Sequence, residues 1–390
     1  MTEKSGGPLS GVRVVELAGI GPGPFCGMLL ADLGAEVIRV DRPAGTLRVV
    51  PPRLDIPARG KRSVIVDLKD ERGLGVVRRL VAAADVLIEG YRPGVAERLG
   101  LGPEACWAVN PRLVYGRMTG WGQDGPLAQA AGHDIGYIAV TGALHAVGAE
   151  GGPPVMPVNY LGDYGGGSLF LALGVVSALL SARQTGRGQV VDAAIVDGAA
   201  ALQAATFGML AAGAWRDERG VNLLDGGAPY YAAYATSDGE YMAVGALESQ
   251  FFARFTELLF APDPVPGGLP GQHDQGRWPE LRSAIAARFA SRTRAEWTTV
   301  FEGTDACVSP VLSMTEAAQH PHLAARGTFV SPGGVVQPAP APRFSAGPLS
   351  PGRPPRPGEH TREVLAELGV GDLDDLIAAG VVATDAAPDR

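Results

Sequence analysis

Two side chains able to carry a proton, His133 and Asp163, bracket a glycine-rich stretch over residues 132–163, GHDIGYIAVTGALHAVGAEGGPPVMPVNYLGD. A histidine exchanges a proton readily because its free pKa lies near neutrality. Ala130, Ala131 and Gly132 before it leave room for backbone close to a ligand. A lone histidine equally caps or bridges a core turn. Asp163 stands ahead of Tyr164, Gly165, Gly166, Gly167 and an apolar run. It reads as the N-cap of the helix that follows, or as an acid placed where backbone N–H groups stabilise charge. Asn159 is a loop bridge, or it orients Asp163 or a substrate oxygen. Glu248 is a helix-start acid or the partner of a histidine. Spacing alone leaves these alternatives open. The working expectation is that His133 and Asp163 face one substrate carbon from opposite sides, with Glu248 holding the histidine.

Arg42, Arg92 and Arg98 pose the same choice. They are solvated charges at strand and helix ends, or guanidinium forks for phosphates and faces for a purine. Their place beyond strand ends favours an anion for at least one of them.

The elements that must position these groups alternate. RVVEL (13–17) reads as a buried strand, FCGMLLADLG as a helix and AEVIRVD as a second strand. SVIVDL, ADVLIEG and RLVYGRMTGWG supply further strands, and Asp70 caps a helix through Val81. Repeated strand–helix alternation with short turns signals a parallel sheet covered on both faces, with ligands beyond the strands' carboxyl ends. The loop AGIGPGP imitates a dinucleotide fingerprint. Pro22 and Pro24 remove N–H groups that a phosphate cradle would use, so a nicotinamide site is rejected. Residues 44–60 read as a surface excursion. A helix over 169–182 precedes GQVVDAAIVDGAA, a strand entering a long alanine-rich helix. Past Gly213 the texture changes to a linker. YYAAYA and YMAVGAL flank the turn TSDG as a hairpin. Ser249 opens an amphipathic helix, two more helices follow near 278–290 and 294–302, and ACVSPVL gives a short strand. The expected division is a large domain over 1–200 with 330–390, linkers over 201–224 and 321–329, and a small α+β domain over 225–320. The tail 331–357 is proline-dense, and a short helix over 361–368 packs back on the first domain.

Bulk properties bound the answer. With 46% hydrophobic and 19% charged residues the composition is that of an ordinary soluble protein. A net charge of -8 disfavours a bulk nucleic-acid binder and leaves room for a local basic pocket. The 55 glycines point to close backbone approaches. Cys26, Cys106 and Cys307 give neither a metal spacing nor a disulfide framework, which fits a reducing, cytoplasmic setting. MTEKSGGPLSG carries no apolar signal core, and the apolar run 169–180 is too short to span a bilayer and reads as a core helix.

Taken together, LSGVRVVELAGIGPGPFCGMLLADLGAEVIRVDRP, VDLK, DVLIEGYRPGVAERLGLGP, RMTGWGQDGP, AGHDIGYIAVTG, GDYGGG and GRGQVVDAAIVDG resemble the family III (CaiB/BaiF) CoA-transferases over essentially the full length. GHDIxY with NLLDGGAPYY and GALE resembles the alpha-methylacyl-CoA racemase branch of that family. The resemblance implies an α/β fold, with a Rossmann-like large domain and a smaller α+β domain in an interlocked dimer. It implies no metal or redox cofactor, CoA entering only as part of a 2-methylacyl-CoA thioester in lipid metabolism. On this chain it assigns His133 as base, Asp163 as opposing acid, Glu248 as the histidine's partner and Asn159 as a further active-site residue. Contacts to the CoA ester fall to Ile20, Arg42, Val66, Asp67, Leu68 and Lys69. They continue through Gly90, Tyr91, Arg92 and Arg98, and through Gly132, His133, Asp134, Ile135, Gly136 and Tyr137.

The implied chemistry is epimerisation at C2 through an enolate, which needs a proton-handling group on each face of the carbon. Donors for the enolate oxygen are expected from backbone N–H groups near Asp163 or the His133 turn. Met156, Leu161, Met209, Leu223 and Leu224 are candidates for an apolar surface under the acyl tail. The rival on the same fold is a CoA-transferase whose Asp163 forms a mixed anhydride.

Overall fold

A computed structural model describes residues 6–43, 49–263, 265 and 267–384. The chain forms two compact units: residues 1–141, 158–202 and 324–390, and residues 142–157 with 203–323.

In the first unit, apolar strand runs form a parallel sheet. Its strands are β1 (Arg13–Leu17), β2 (Glu36–Asp41), β3 (Lys61–Val66), β4 (Val86–Glu89), β5 (Val114–Thr119) and β6 (Val190–Ala194). Their spatial order is 3-2-1-4-5-6, with the antiparallel strand Val382–Ala383 on the outer edge of β3. Neighbours across the centre are in register, Val15 opposite Ile38 and Leu87. Burial on both faces explains why the strands read as continuous apolar runs. The connection order reverses between β1 and β4, which opens a crevice at their carboxyl ends.

The glycine–proline loop folds differently from expectation. The helix begins at Pro22, not at Phe25, and runs to Asp32. Proline is tolerated in a first turn because its missing N–H would have no helical partner there. Buried Lys61 pins this turn, its Nζ 2.6 Å from Glu16 Oε2 and 2.8 Å from the Pro24 carbonyl. The excursion before β3 is also better anchored than expected. Residues 44–48 lie outside the described residues, but Arg59 is buried, 2.5 Å from Asp32 and 2.7 Å from Gln337. Asp70 caps the Glu71–Ala82 helix as its position indicated, accepting from the Arg72 N–H.

Residues 160–168 carry the main surprise. Tyr160–Ser168 is a π-helix that runs directly into the α-helix Leu169–Thr185. Glycines on both sides allow it to pack closely on the helix Ile195–Ala201: a Cβ on Gly166 would lie 2.7 Å from the Ala199 nitrogen, and one on Gly198 1.8 Å from the Gly166 carbonyl oxygen. The combined helix has 26 residues, longer than the apolar run, and is long and apolar enough to cross a membrane by length and composition. One side packs on the sheet, where a Cβ on Gly174 would come within 2.5 Å of Val191. Leu169, Leu173, Val176 and Leu180 on the other side are exposed within the chain.

The second unit has its own core. β7 (Tyr231–Ala235), β8 (Tyr241–Gly245) and β9 (Val308–Pro310) form an antiparallel sheet. The expected hairpin turn is present, with Gly239 at φ 79°. Helices Ser249–Phe260, Trp278–Phe289 and Arg294–Phe301 contribute buried Phe255, Phe289, Trp297 and Phe301 to one aromatic cluster. The expected long alanine-rich helix is two helices, Ile195–Ala201 in the first unit and Ala204–Ala211 in the second, interrupted at Leu202 and Gln203.

Candidate active site

A cavity of about 420 Å³ opens at the sheet's switch point, wholly within the first unit. The loops after β1, β4 and β5 build its floor and walls, with Ile20 and Gly21 from the first, Gly90–Tyr91–Arg92 from the second and Gly120 and Trp121 from the third. His133 and Asp163 both line it.

Asp163 stands inside the π-helix and is not the cap of the following helix. Its N–H donates to Asp134 Oδ1 at 2.7 Å, so this N–H is not available to an enolate oxygen as expected. Asn159 Nδ2 donates to Asp163 Oδ2 at 3.2 Å. The Ser168 hydroxyl lies 3.0 Å from the Asp163 carbonyl and 2.7 Å from that of Pro22, tying the π-helix to the β1 loop. Gly21, at φ 70°, leaves space for the carboxylate: a Cβ there would lie 3.3 Å from Oδ2. Burial raises the Asp163 carboxyl above the usual range. The Asn159 hydrogen bond opposes the shift, the Asp134 charge adds to it and the field of His133 opposes it. A raised carboxyl is a better proton donor near neutrality.

His133 is exposed and heads the helix Asp134–Val140 in extended backbone conformation, without a side-chain cap. Its ring makes no hydrogen bond to a described residue. That short helix was not visible in the sequence pattern, and it is what turns Asp134 toward the Asp163 N–H.

The structure brings Ile20, Gly90, Tyr91, Arg92, Gly132, His133, Tyr137 and Asp163 around one cavity. Arg42 borders an adjoining recess of about 180 Å³ that shares Ile20, Gly90 and Tyr91, and its guanidinium lies 5.6 Å from the Tyr91 ring centre. Buried Glu89, in the same recess, accepts from the Tyr91 N–H at 2.6 Å, and burial raises its carboxyl to about 7. Asn159 and Asp134 lie outside the lining and are hydrogen-bonded to Asp163. Ile135 and Gly136 lie on the His133 helix outside the lining. Val66 ends β3 and Asp67, Leu68 and Lys69 follow it; Asp67 N–H meets the Val381 carbonyl at 2.8 Å, and Lys69 is exposed. Arg98 is exposed at the end of Val95–Arg98. Glu248 is exposed at the start of Ser249–Phe260 in the second unit. Sequence reasoning named neither Gly21 nor Trp121 as a site residue, although the loops AGIGPGP and TGWG that hold them both stood out as strand-exit loops. Among the described residues no group of His, Cys, Asp or Glu gathers as a metal site.

The model of CoA-transferase family III matches residues 9–361. The chain is 48% identical over 371 residues to an alpha-methylacyl-CoA racemase of Mus musculus, covering 94% of this chain and 95% of that one. A succinyl-CoA:glutarate CoA-transferase of Mus musculus is 32% identical, over 96% of this chain and 90% of its own. A crystal structure of a CaiB/BaiF family protein from Brucella suis superposes with a TM-score of 0.79 at 30% identity, covering 93% of this chain and 99% of that one.

Proposed function

The chain belongs to CoA-transferase family III, and from that premise we infer that it is an alpha-methylacyl-CoA racemase, epimerising C2 of 2-methylacyl-CoA thioesters. The observation that carries the reading is a histidine and a carboxylate lining one cavity, in a chain nearly half identical to such a racemase.

The residues account for the steps. The thioester acidifies the neighbouring C2–H bond, but that proton still needs a base. His133 takes it from one face; the electron pair of the C–H bond moves into the C1–C2 bond and charge collects on the thioester oxygen. Asp163, protonated more readily than an ordinary aspartate, returns a proton to the other face. The groups exchange roles for the opposite enantiomer. Arg42 and Arg92 are assigned to the anionic part of CoA, whose grip places C2 between the two groups. CoA is a handle on the substrate, and no further cofactor enters this chemistry.

We assign Glu248 to orient the His133 ring, supplied in an interlocked homodimer by the other copy. The exposed apolar row Leu169, Leu173, Val176 and Leu180 supports such an assembly. Cytoplasmic residence is supported by three free cysteines. In the transferase alternative, the Asp163 carboxylate would attack the thioester carbon and expel CoA as thiolate, leaving a mixed anhydride.

One experiment separates the two readings. A single enantiomer of a 2-methylacyl-CoA, incubated with the protein in D2O, should gain deuterium at C2 and lose optical purity. CoA transfer to an added carboxylate, without exchange at C2, would overturn the racemase reading.

A further inference from the structure

The proton relay leaves one polar group in the cavity without a task. Tyr137 is only 8% exposed. Its hydroxyl makes no hydrogen bond to a described residue, yet it is not sealed from the cavity as the neighbouring Trp121 N–H is. A hydroxyl that reaches the cavity and spends no bond on the protein is free to donate to whatever enters it, which a phenylalanine in the same slot could not do.

The slot is built around the ring. A Cβ on Gly120 would lie 1.9 Å from Tyr137 Cζ, and one on Gly132 2.6 Å from Cε1. Both glycines line the cavity, so the phenol tip lies at its wall. Trp121 braces the ring edge-on at 4.8 Å and 85°. Burial, and after it the charge of Asp163, raise the phenol's pKa, while Arg92 lowers it. The hydroxyl therefore lies within the electrostatic reach of the proposed proton donor and of the arginine assigned to CoA. Between those two points an acyl-CoA carries its thioester.

Resting on the racemase reading, we propose that the Tyr137 hydroxyl is a catalytic hydrogen-bond donor to the thioester oxygen. As the base removes the C2 proton, the carbonyl π pair moves onto that oxygen and the phenol O–H shortens its contact with it. The phenol proton stays on tyrosine, and the ring's glycine and tryptophan walls fix the donor before substrate arrives.

The test uses the full-length protein and a 2-methylacyl-CoA in D2O. Tyr137→Phe should lower kcat for C2 exchange by about 10²–10³-fold, the loss typical of one oxyanion donor, with KM changed by no more than about 3-fold. Fluorotyrosines placed at position 137 should change kcat in step with phenol acidity, a trend that packing does not produce. This series also decides the matter if Tyr137→Phe folds poorly. Wild-type exchange with an unimpaired Tyr137→Phe, a rise in KM alone, or no trend along the fluorinated series overturns the donor role and leaves the racemase reading standing. A wild-type protein without C2 exchange overturns both.

Discussion

The carboxylate of Asp163 and the imidazole of His133 line the same cavity, yet the chain holds them by different means. Asp163 is half-buried in a π-helix, with Asn159 on its carboxylate, Asp134 on its N–H and Ser168 at its carbonyl. Its acidity is set by its own unit before any ligand arrives. His133 is exposed and held by backbone alone. Side-chain support for its ring has to come from the substrate or from a group such as Glu248. In the proposed relay one half is pre-tuned within its own unit, and the proposed assembly would complete the other through Glu248.

The comparison can be broken most directly at the two groups themselves. His133→Ala and Asp163→Ala should each reduce C2 epimerisation by at least about 10³-fold, measured by loss of optical purity. Activity within about 10-fold of wild type in either variant would remove that residue from the relay. Next comes the source of the histidine's support. Glu248→Ala should cost about 10²-fold. Mixing His133→Ala chains with Glu248→Ala chains should restore activity, because one site in each mixed dimer then has both groups. No recovery after the chains exchange would place Glu248 in the same chain as its histidine, or in neither role.

Smaller effects sharpen the other half. Asp134→Asn keeps an acceptor for the Asp163 N–H but removes a charge that raises the Asp163 carboxyl. The pH–rate limb belonging to Asp163 should move to lower pH, with kcat down about 10-fold at neutrality. Asn159→Ala removes the bond that lowers the same carboxyl, so the limb should move the other way, with a loss of a few-fold. The smallest effect is on stability. Because the folded carboxyl is raised, the stability tied to it is fully present below the unfolded aspartate value and is lost as pH rises through the folded value. Asp163→Asn should therefore melt above wild type at neutral pH and lose that advantage in acid. The His133→Asn melt should follow wild type at both. Parallel behaviour of the two variants would erase the distinction.

The sheet was legible in the sequence because buried parallel strands leave unbroken apolar runs such as RVVEL and EVIRVD between turn residues. The hairpin around Gly239 and the Asp70 cap were legible for the same local reason. The site was legible only in its residue types. No periodicity announces a π-helix, so Asp163 read as a cap. The Asp134 contact with the Asp163 N–H joins residues 29 apart, and pattern within either segment does not reveal it. Arg59 read as part of a surface excursion because its partners, Asp32 and Gln337, lie 27 and 278 residues away.

The outer edge of β3 has a consequence for how the molecule comes into being. Ile65 N–H is met by Thr361 Oγ1 across 296 residues, and Val66 pairs with Val382. While a nascent chain emerges from the ribosome, that row of amide groups stays open until residues 361–383 have been translated. An interrupted or truncated product would display it as a template for strand pairing with its neighbours. Loss of the C-terminal segment should thus show itself first as insolubility, before any question of turnover arises.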